Sequence, residues 1–313
     1  MSSNFSVVFP GQGSQAVGML AALAEAFPAV QQTFEEASAA VGTDLWALTR
    51  EGPAEQLNQT VHTQPAMLAS GVAVWRIWQA QGDPQPLAMA GHSLGEYTAL
   101  VCAGALEFSD AASLVAQRGR LMQAAVPEGS GAMAAVLGLD DDEVRKVCAA
   151  TAEGAVVQAV NFNAPGQVVI AGDAAAVERA GAMARDAGAK RVVSLPVSVP
   201  SHCSLMRDAA SELAGHLAGI EIRPPVIPVI HNVSVTSESD PDAIRRALVD
   251  QLYSPVRWVE TIRTMAERGA SVIVEAGPGK VLAGLVKRID RQLAGIPFFA
   301  PEDLSKVTEA IHG

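Results

Sequence analysis

Short apolar runs alternate along the chain with stretches of helical spacing, the pattern of an α/β protein. Residues 4–9 predict a first strand, which ends in the turn Pro10-Gly11-Gln12-Gly13-Ser14-Gln15. Helical spacing follows over about 19–41, near 44–58 and over 64–81, where Leu68, Val72, Trp75 and Trp78 fall on one face to be buried. The run Leu87-Ala88-Met89-Ala90 predicts a short strand, and Tyr97-Thr98-Ala99-Leu100-Val101 the helix after it. Ser109-Asp110 offers an N-cap for a further helix carrying Leu114, Gln117, Arg118, Leu121 and Met122.

The pattern changes over 131–197. Strands are expected at 132–137, 155–160, 167–171 and 191–197, and helices at 141–151 and 174–187, with a turn at Asn163-Ala164-Pro165-Gly166. The order β-α-β-β-α-β is the ferredoxin-like arrangement. Alternation of helix and strand resumes afterwards: helix 203–219, strand 226–230, helices 241–252 and 256–268, strand 271–275 and helix 280–290. The expected fold is therefore α/β, with an α/β-hydrolase-like large subdomain (1–128 and 198–313) and an inserted ferredoxin-like small subdomain (129–197).

Composition narrows the class. The 313 residues are 49% hydrophobic and 18% charged with a net charge of −11, so a packed globular protein is expected and a nucleic-acid binder is not. An acidic partner would need a local basic patch. Met1-Ser2-Ser3-Asn4 has no basic stretch before an apolar core, and no apolar run approaches the ~20 residues of a membrane span, so a cytoplasmic protein is expected. Cys102, Cys148 and Cys203 are an odd number at irregular spacing, which fits reduced thiols; no metal-ligand spacing appears.

The sharpest chemical signal is Gly91-His92-Ser93-Leu94-Gly95-Glu96, a G-x-S-x-G run between a predicted strand and a predicted helix. Glycines on both sides of Ser93 remove Cβ atoms that would clash in so sharp a turn, and the helix after it directs N–H groups toward an oxyanion. A serine nucleophile needs a base. His92 is adjacent in sequence and is expected to point elsewhere, while His62, His216, His231 and His312 have no special neighbours in the sequence. His202, in Val197-Ser198-Val199-Pro200-Ser201-His202, lies where the small subdomain returns to the large one and could face the cleft or be structural. No acid stands out to orient the imidazole. Glu96 is equally a helix-dipole partner, and a backbone carbonyl would serve instead.

Phe9-Pro10-Gly11-Gln12-Gly13-Ser14-Gln15, the Ser93 run, Gln117-Arg118-Gly119, Asn163-Ala164-Pro165-Gly166-Gln167, the His202 run, Gln251-Leu252-Tyr253-Ser254-Pro255-Val256 and Glu275-Ala276-Gly277-Pro278-Gly279 follow one another in a familiar order. In this the chain resembles the malonyl-CoA:acyl carrier protein transacylases, the stand-alone bacterial type of fatty acid synthesis, from residue 5 to about 290. The resemblance implies Ser93 as acylated nucleophile, His202 as general base and Gln251 as the residue whose main-chain carbonyl orients His202. It also implies an oxyanion hole from the N–H groups of Gln12 and Leu94, and Arg118 as the holder of the malonyl carboxylate. Arg118 would otherwise read as a solvated helix residue like Arg120, yet a guanidinium fork does match a carboxylate.

Met122, one turn on from Arg118, could wall the acyl pocket or be plain core, and Asn163 could line the cleft or make an Asx turn. Lys190, Arg191, Lys287 and Arg288 read as surface charge, or as the basic patch that an acidic carrier protein and the coenzyme A phosphates require. Gly277-Pro278-Gly279-Lys280 lacks phosphate-loop spacing and reads as a strand-to-helix turn. The expected partners are malonyl-CoA and acyl carrier protein, with no bound cofactor, metal, nucleic acid or membrane. Alternatives that stay open are a polyketide-type extender-unit acyltransferase, a serine esterase or thioesterase, and a catalytically silent binding protein on the same fold.

Overall fold

The computed structural model describes residues 4–82, 84–197 and 199–312. Expectations that fall on Met1-Ser2-Ser3, and on the subdomain join at Ser198, lie outside the described residues. The chain runs β1 (Phe5–Phe9), α1 (Ala21–Ala26), α2 (Ala29–Val41), α3 (Leu45–Glu51), α4 (Ala54–Leu57), α5 (Thr60–Ala80), β2 (Met89–Gly91), α6 (Gly95–Cys102) and α7 (Phe108–Ala124). Next come β3 (Gly131–Leu137), α8 (Asp141–Thr151), β4 (Val157–Ala164), β5 (Gln167–Asp173), α9 (Ala174–Asp186) and β6 (Arg191–Ser194). A 3₁₀ turn at Ser204–Met206 leads into α10 (Arg207–Ala218), β7 (Val229–Ile230), α11 (Pro241–Gln251), α12 (Trp258–Glu267), β8 (Val272–Ala276), α13 (Val281–Ile289), β9 (Ala294–Phe298) and α14 (Pro301–His312).

Two sheets result. One is parallel throughout, in the order β7-β2-β1-β8-β9; the other is antiparallel throughout, in the order β4-β5-β3-β6. β1 is buried at all five positions because helices cover both faces of a parallel sheet, which is why it reads as an unbroken apolar run. The antiparallel sheet is also tied to the loop between α11 and α12, away from its chain crossovers. Phe162 N–H donates to Val256 O at 3.0 Å and Val256 N–H to Val160 O at 2.8 Å, so β4 is fixed to the segment that follows Gln251.

Several expectations shift. The helix expected over 19–41 divides at Phe27-Pro28, because the residue before a proline is driven out of the helical region. The stretch near 44–58 divides likewise at Gly52-Pro53. α7 starts at Phe108 with Glu107 as N-cap, so Ser109-Asp110 is not the cap; Asp110 lies in the first turn, where its charge favours the helix dipole. α5 does not bury one face only: residues from Thr63 to Trp75 are all buried, since the parallel sheet, α2 and α7 surround it. The turn after β4 is confined to Pro165-Gly166, with Asn163 and Ala164 inside the strand.

β9 and α14 lie past the last element read from the sequence. β9 carries Gly295 and Pro297, which disguise a strand, but as an edge strand it tolerates the proline. The turn expected at residues 277–280 does join β8 to α13. Buried Glu275 at its start accepts the Ala283 N–H at 2.7 Å; burial pushes its carboxyl up to about 7, against the helix N–H groups that favour the charge.

Candidate active site

Ser93 sits between β2 and α6 at φ 53°, a left-handed conformation that costs a non-glycine residue energy. The flanking glycines make it possible. A Cβ on Gly91 would lie 1.7 Å from the Gly95 carbonyl carbon, and one on Gly95 would lie 2.1 Å from Phe9 O. The clash read from the sequence is therefore with backbone, which has no rotamer by which to escape. Ser93 N–H donates to Asn232 Oδ1 at 2.8 Å and Ser93 O accepts from Gln251 Nε2 at 2.9 Å, so both main-chain groups of the strained residue are held.

His202, also left-handed at φ 66°, places Nε2 2.8 Å from Ser93 Oγ, across 109 residues of sequence. Its Nδ1 lies 2.8 Å from Gln251 O. A carbonyl only accepts, so Nδ1 carries the proton and Nε2 offers its lone pair to the serine hydroxyl. That is the tautomer a general base needs, held without an acid. Burial first, and then the charge of Arg118, lower the His202 pKa from 6.5 to about 3, against the bond to Gln251 that raises it. The imidazole is thus already neutral at neutral pH. In a pH profile of kcat/KM for Ser93 acylation, the acid limb is expected well below the ordinary histidine value of 6.5. A limb centred at that value would mean the base is not His202 in this environment.

Arg118 is 1% exposed, so it is not the solvated helix residue its composition allowed. Its Nη1 donates to Gln64 Oε1 at 2.8 Å, and its Nη2 to Ser93 Oγ at 3.2 Å and to Gln251 Oε1 at 3.0 Å. The guanidinium also stands 5.4 Å from the Tyr97 ring centre, and its Nε is buried with no hydrogen-bond partner. Burial lowers its pKa. Every direct partner is neutral, and among the described residues no carboxylate forms an ion pair with it. A buried cation with only neutral contacts is poised to receive an anion.

Ser93, His202, Arg118, Gln12, Leu94 and Met122 line one cavity of about 120 Å³, whose remaining walls include Met133, Leu195, Val197 and Val199. Ser93's own N–H is occupied, which leaves the edge beside Gln12 and Leu94 for other donors; the Gln12 side chain is turned to Thr60 Oγ1 at 3.3 Å. A second cavity of about 540 Å³ shares Gln12, His92, Asn161, Leu195 and Val197 with the first and continues past Asn163 and Gln167 to Leu282 and Leu285. Asn163 Oδ1 lies 2.8 Å from His92 Nε2, so His92 does point away from Ser93 Oγ. Lys190, Arg191, Lys287 and Arg288 are exposed and line neither cavity. Arg288 donates to Gln167, a wall of the larger cavity, and Arg191 lies across Leu137 from Gln167 at the same end of the antiparallel sheet. Among the described residues no group of three or more His, Cys, Asp or Glu could hold a metal ion, and no helix is long and apolar enough to cross a membrane.

The family model described as acyl transferase domain matches residues 6–300. The chain belongs to the acyl transferase family. It is 57% identical over 307 residues to the malonyl CoA-acyl carrier protein transacylase of Escherichia coli strain K12, covering 98% of this chain and 99% of that one. It superposes with a TM-score of 0.99 on the malonyl CoA-acyl carrier protein transacylase of Coxiella burnetii, at 51% identity over 100% of this chain and 99% of that one. A further likeness, with a TM-score of 0.96 and 55% identity over 99% of both chains, is to a malonyl-transacylase in complex with a type II polyketide synthase acyl carrier protein.

Residues that sequence reasoning passed over complete this acyl transferase site. Gln64 fixes Arg118 from within α5, and a glutamine flanked by Pro65-Ala66-Met67-Leu68 was the available signal. His231 was expected to have no special neighbour, yet it is fully buried with Nδ1 2.8 Å from Glu96 Oε1. Nothing in a single sequence relates residues 135 positions apart. Glu96 is likewise buried and does not touch His202. The three cysteines are free and buried; Cys203 Sγ donates to Pro200 O at 3.1 Å and packs rather than reacts.

Proposed function

We propose that this acyltransferase moves the malonyl group of malonyl-CoA to the phosphopantetheine thiol of an acyl carrier protein, through a malonyl-serine at Ser93. The observation that carries the reading is the fully buried Arg118, whose guanidinium faces Ser93 Oγ and has only neutral partners. A neutral acyl group would leave that cation unpaired, whereas the free carboxylate of a malonyl group matches its fork.

His202 Nε2 takes the Ser93 hydroxyl proton as Oγ adds to the thioester carbonyl. The N–H groups of Gln12 and Leu94 receive the oxyanion. The C–S bond then breaks, and the CoA sulfur leaves with the proton from His202. In the second half the carrier thiol gives its proton to His202, its sulfur adds to the acyl-serine, and Ser93 Oγ leaves and recovers the proton. Gln251 O keeps the imidazole in the required tautomer throughout. Met122 and its apolar neighbours wall the acyl group, leaving little room for a competing water.

The larger cavity, with Asn163 on its wall, would take the pantetheine arm. Lys190, Arg191, Lys287 and Arg288 supply the positive charge for CoA phosphates and an acidic carrier on a chain of net charge −11. The reading treats 1–128 and 198–313 as an α/β-hydrolase-like large subdomain and 129–197 as a ferredoxin-like small one. The strand order β4-β5-β3-β6 with α8 and α9 supports the latter. Malonyl-CoA enters as substrate, no resident cofactor takes part, and three free cysteines fit the cytoplasm. Fatty acid synthesis is the pathway proposed; the likeness to a polyketide-associated transacylase keeps extender-unit supply as the second reading.

The purified protein, given malonyl-CoA or methylmalonyl-CoA with a phosphopantetheinylated carrier, is expected to load malonyl far faster than methylmalonyl and to release little free malonate. Preferential methylmalonyl loading would favour the polyketide reading, and rapid malonate release would favour a thioesterase.

A further inference from the structure

One carboxylate behind the site has no part in the chemistry described so far. Glu96, in the first turn of α6, is fully buried and accepts three hydrogen bonds: from His231 Nδ1 at 2.8 Å, from Asn232 N–H at 2.9 Å and from Gln251 Nε2 at 2.9 Å. Two of these donors belong to residues that reach into the site. Asn232 Oδ1 accepts the Ser93 N–H at 2.8 Å, while its Nδ2 donates to Gly91 O at 2.7 Å. Gln251 Nε2 also donates to Ser93 O at 2.9 Å, and its Oε1 accepts from Arg118 Nη2 at 3.0 Å. A single buried carboxylate therefore holds the main chain of Asn232 and the side-chain amide of Gln251, the two residues whose amides grip the strained main chain of Ser93, and Gln251 continues to the guanidinium.

Building on the reading of Ser93 as acylated by malonyl-CoA and Arg118 as carboxylate holder, we propose that Glu96 is a positioning residue for both. Its negative charge, in addition, moderates the grip of Arg118 on the substrate carboxylate. Glu96 and the Ser93 carbonyl are acceptors only, so together they leave the Gln251 amide one orientation, with Oε1 toward Arg118. Remove the carboxylate, and three buried donors lose their acceptor while the amide is free to turn. The charge acts separately. Glu96 and Arg118 attract one another through a buried, low-dielectric region, which offsets part of the field an incoming carboxylate feels. His231 holds the carboxylate from the far side; burial lowers its pKa, but the hydrogen bond and charge of Glu96, with the charge of Glu238, leave it raised.

Two substitutions separate geometry from charge. Glu96→Gln keeps an oxygen for Asn232 and Gln251, and its amide can donate to His231 Nδ1 in the other imidazole tautomer, so the bonds persist and the charge does not. Glu96→Ala removes both. The intact protein, Ser93→Ala and both variants are to be assayed for malonyl and acetyl transfer from their CoA thioesters to a carrier protein, with thermal melts to establish folding. For folded Glu96→Ala, kcat/KM is expected to fall about tenfold or more for malonyl and acetyl transfer alike, because the residues that hold the Ser93 main chain lose their anchor. For Glu96→Gln, the KM for malonyl-CoA is expected to drop severalfold while that for acetyl-CoA stays in place, a split that a scaffolding role would not produce.

If Glu96→Ala does not fold, Glu96→Gln decides alone. With an active wild type, an unchanged or raised malonyl-CoA KM in Glu96→Gln overturns the proposal, as does a folded Glu96→Ala that transfers malonyl with undiminished kcat/KM. A wild type that transfers no malonyl group overturns the underlying reading, and this proposal with it.

Discussion

Ser93→Ala is expected to abolish the malonyl-enzyme and to lower transfer to the carrier by about 10⁴-fold or more, the scale seen when a covalent nucleophile is removed. The size follows from the geometry. The hydroxyl lies 2.8 Å from His202 Nε2, and it also accepts from Arg118 Nη2 at 3.2 Å. Without Oγ, the neutral imidazole has no nucleophile to activate. The fold should survive, because alanine keeps the Cβ and the main chain stays held by Asn232 and Gln251. Incubation with labelled malonyl-CoA followed by intact-protein mass measurement gives the readout. A stable malonyl adduct on the alanine variant would sink the assignment of Ser93.

Arg118→Ala is expected to separate substrates rather than silence the enzyme. Truncating one partner of a buried, hydrogen-bonded charge pair costs about 2–5 kcal/mol, roughly a 30- to 5,000-fold loss in kcat/KM for malonyl-CoA. Acetyl transfer should change far less, since an acetyl group offers the cation nothing and leaves it desolvated and unpaired in the wild type. The substitution leaves Gln64 Oε1 and Gln251 Oε1 without their donor, so some loss of stability accompanies it. Comparing kcat/KM for the two thioesters cancels that common effect. Equal losses for malonyl and acetyl would remove Arg118 from the role of carboxylate holder.

The sequence was most legible where chemistry is local. The G-x-S-x-G turn, the strand before it and the helix after it depend on residues within a few positions of one another, and all three are present around Ser93. The eleven helices and strands from β3 to β8 stand close to their expected places because their alternation has a clear period. Legibility failed where long-range packing overrides a local signal. α5 carries an amphipathic spacing but is enclosed on all sides, and β9 is a strand only because β8 offers it a free edge. Arg118 looked like Arg120 from its neighbours; burial by α5, Tyr97 and the Ser93 turn sets the two apart.

By itself the sequence determined the α/β alternation, the strained serine with its glycines, the absence of an obvious third-member acid, and, through several motifs in register, the family. Those are properties of covalent geometry and short-range sterics, which a single chain displays without folding. The resemblance implied the pairing of His202 with Ser93 and with the Gln251 carbonyl; only the tertiary structure supplies those contacts, and it alone puts Glu96 and His231 behind them. Each of these joins residues from 49 to 158 positions apart. Their hydrogen bonds have value because packing excludes water from them, and that exclusion exists only in the folded chain.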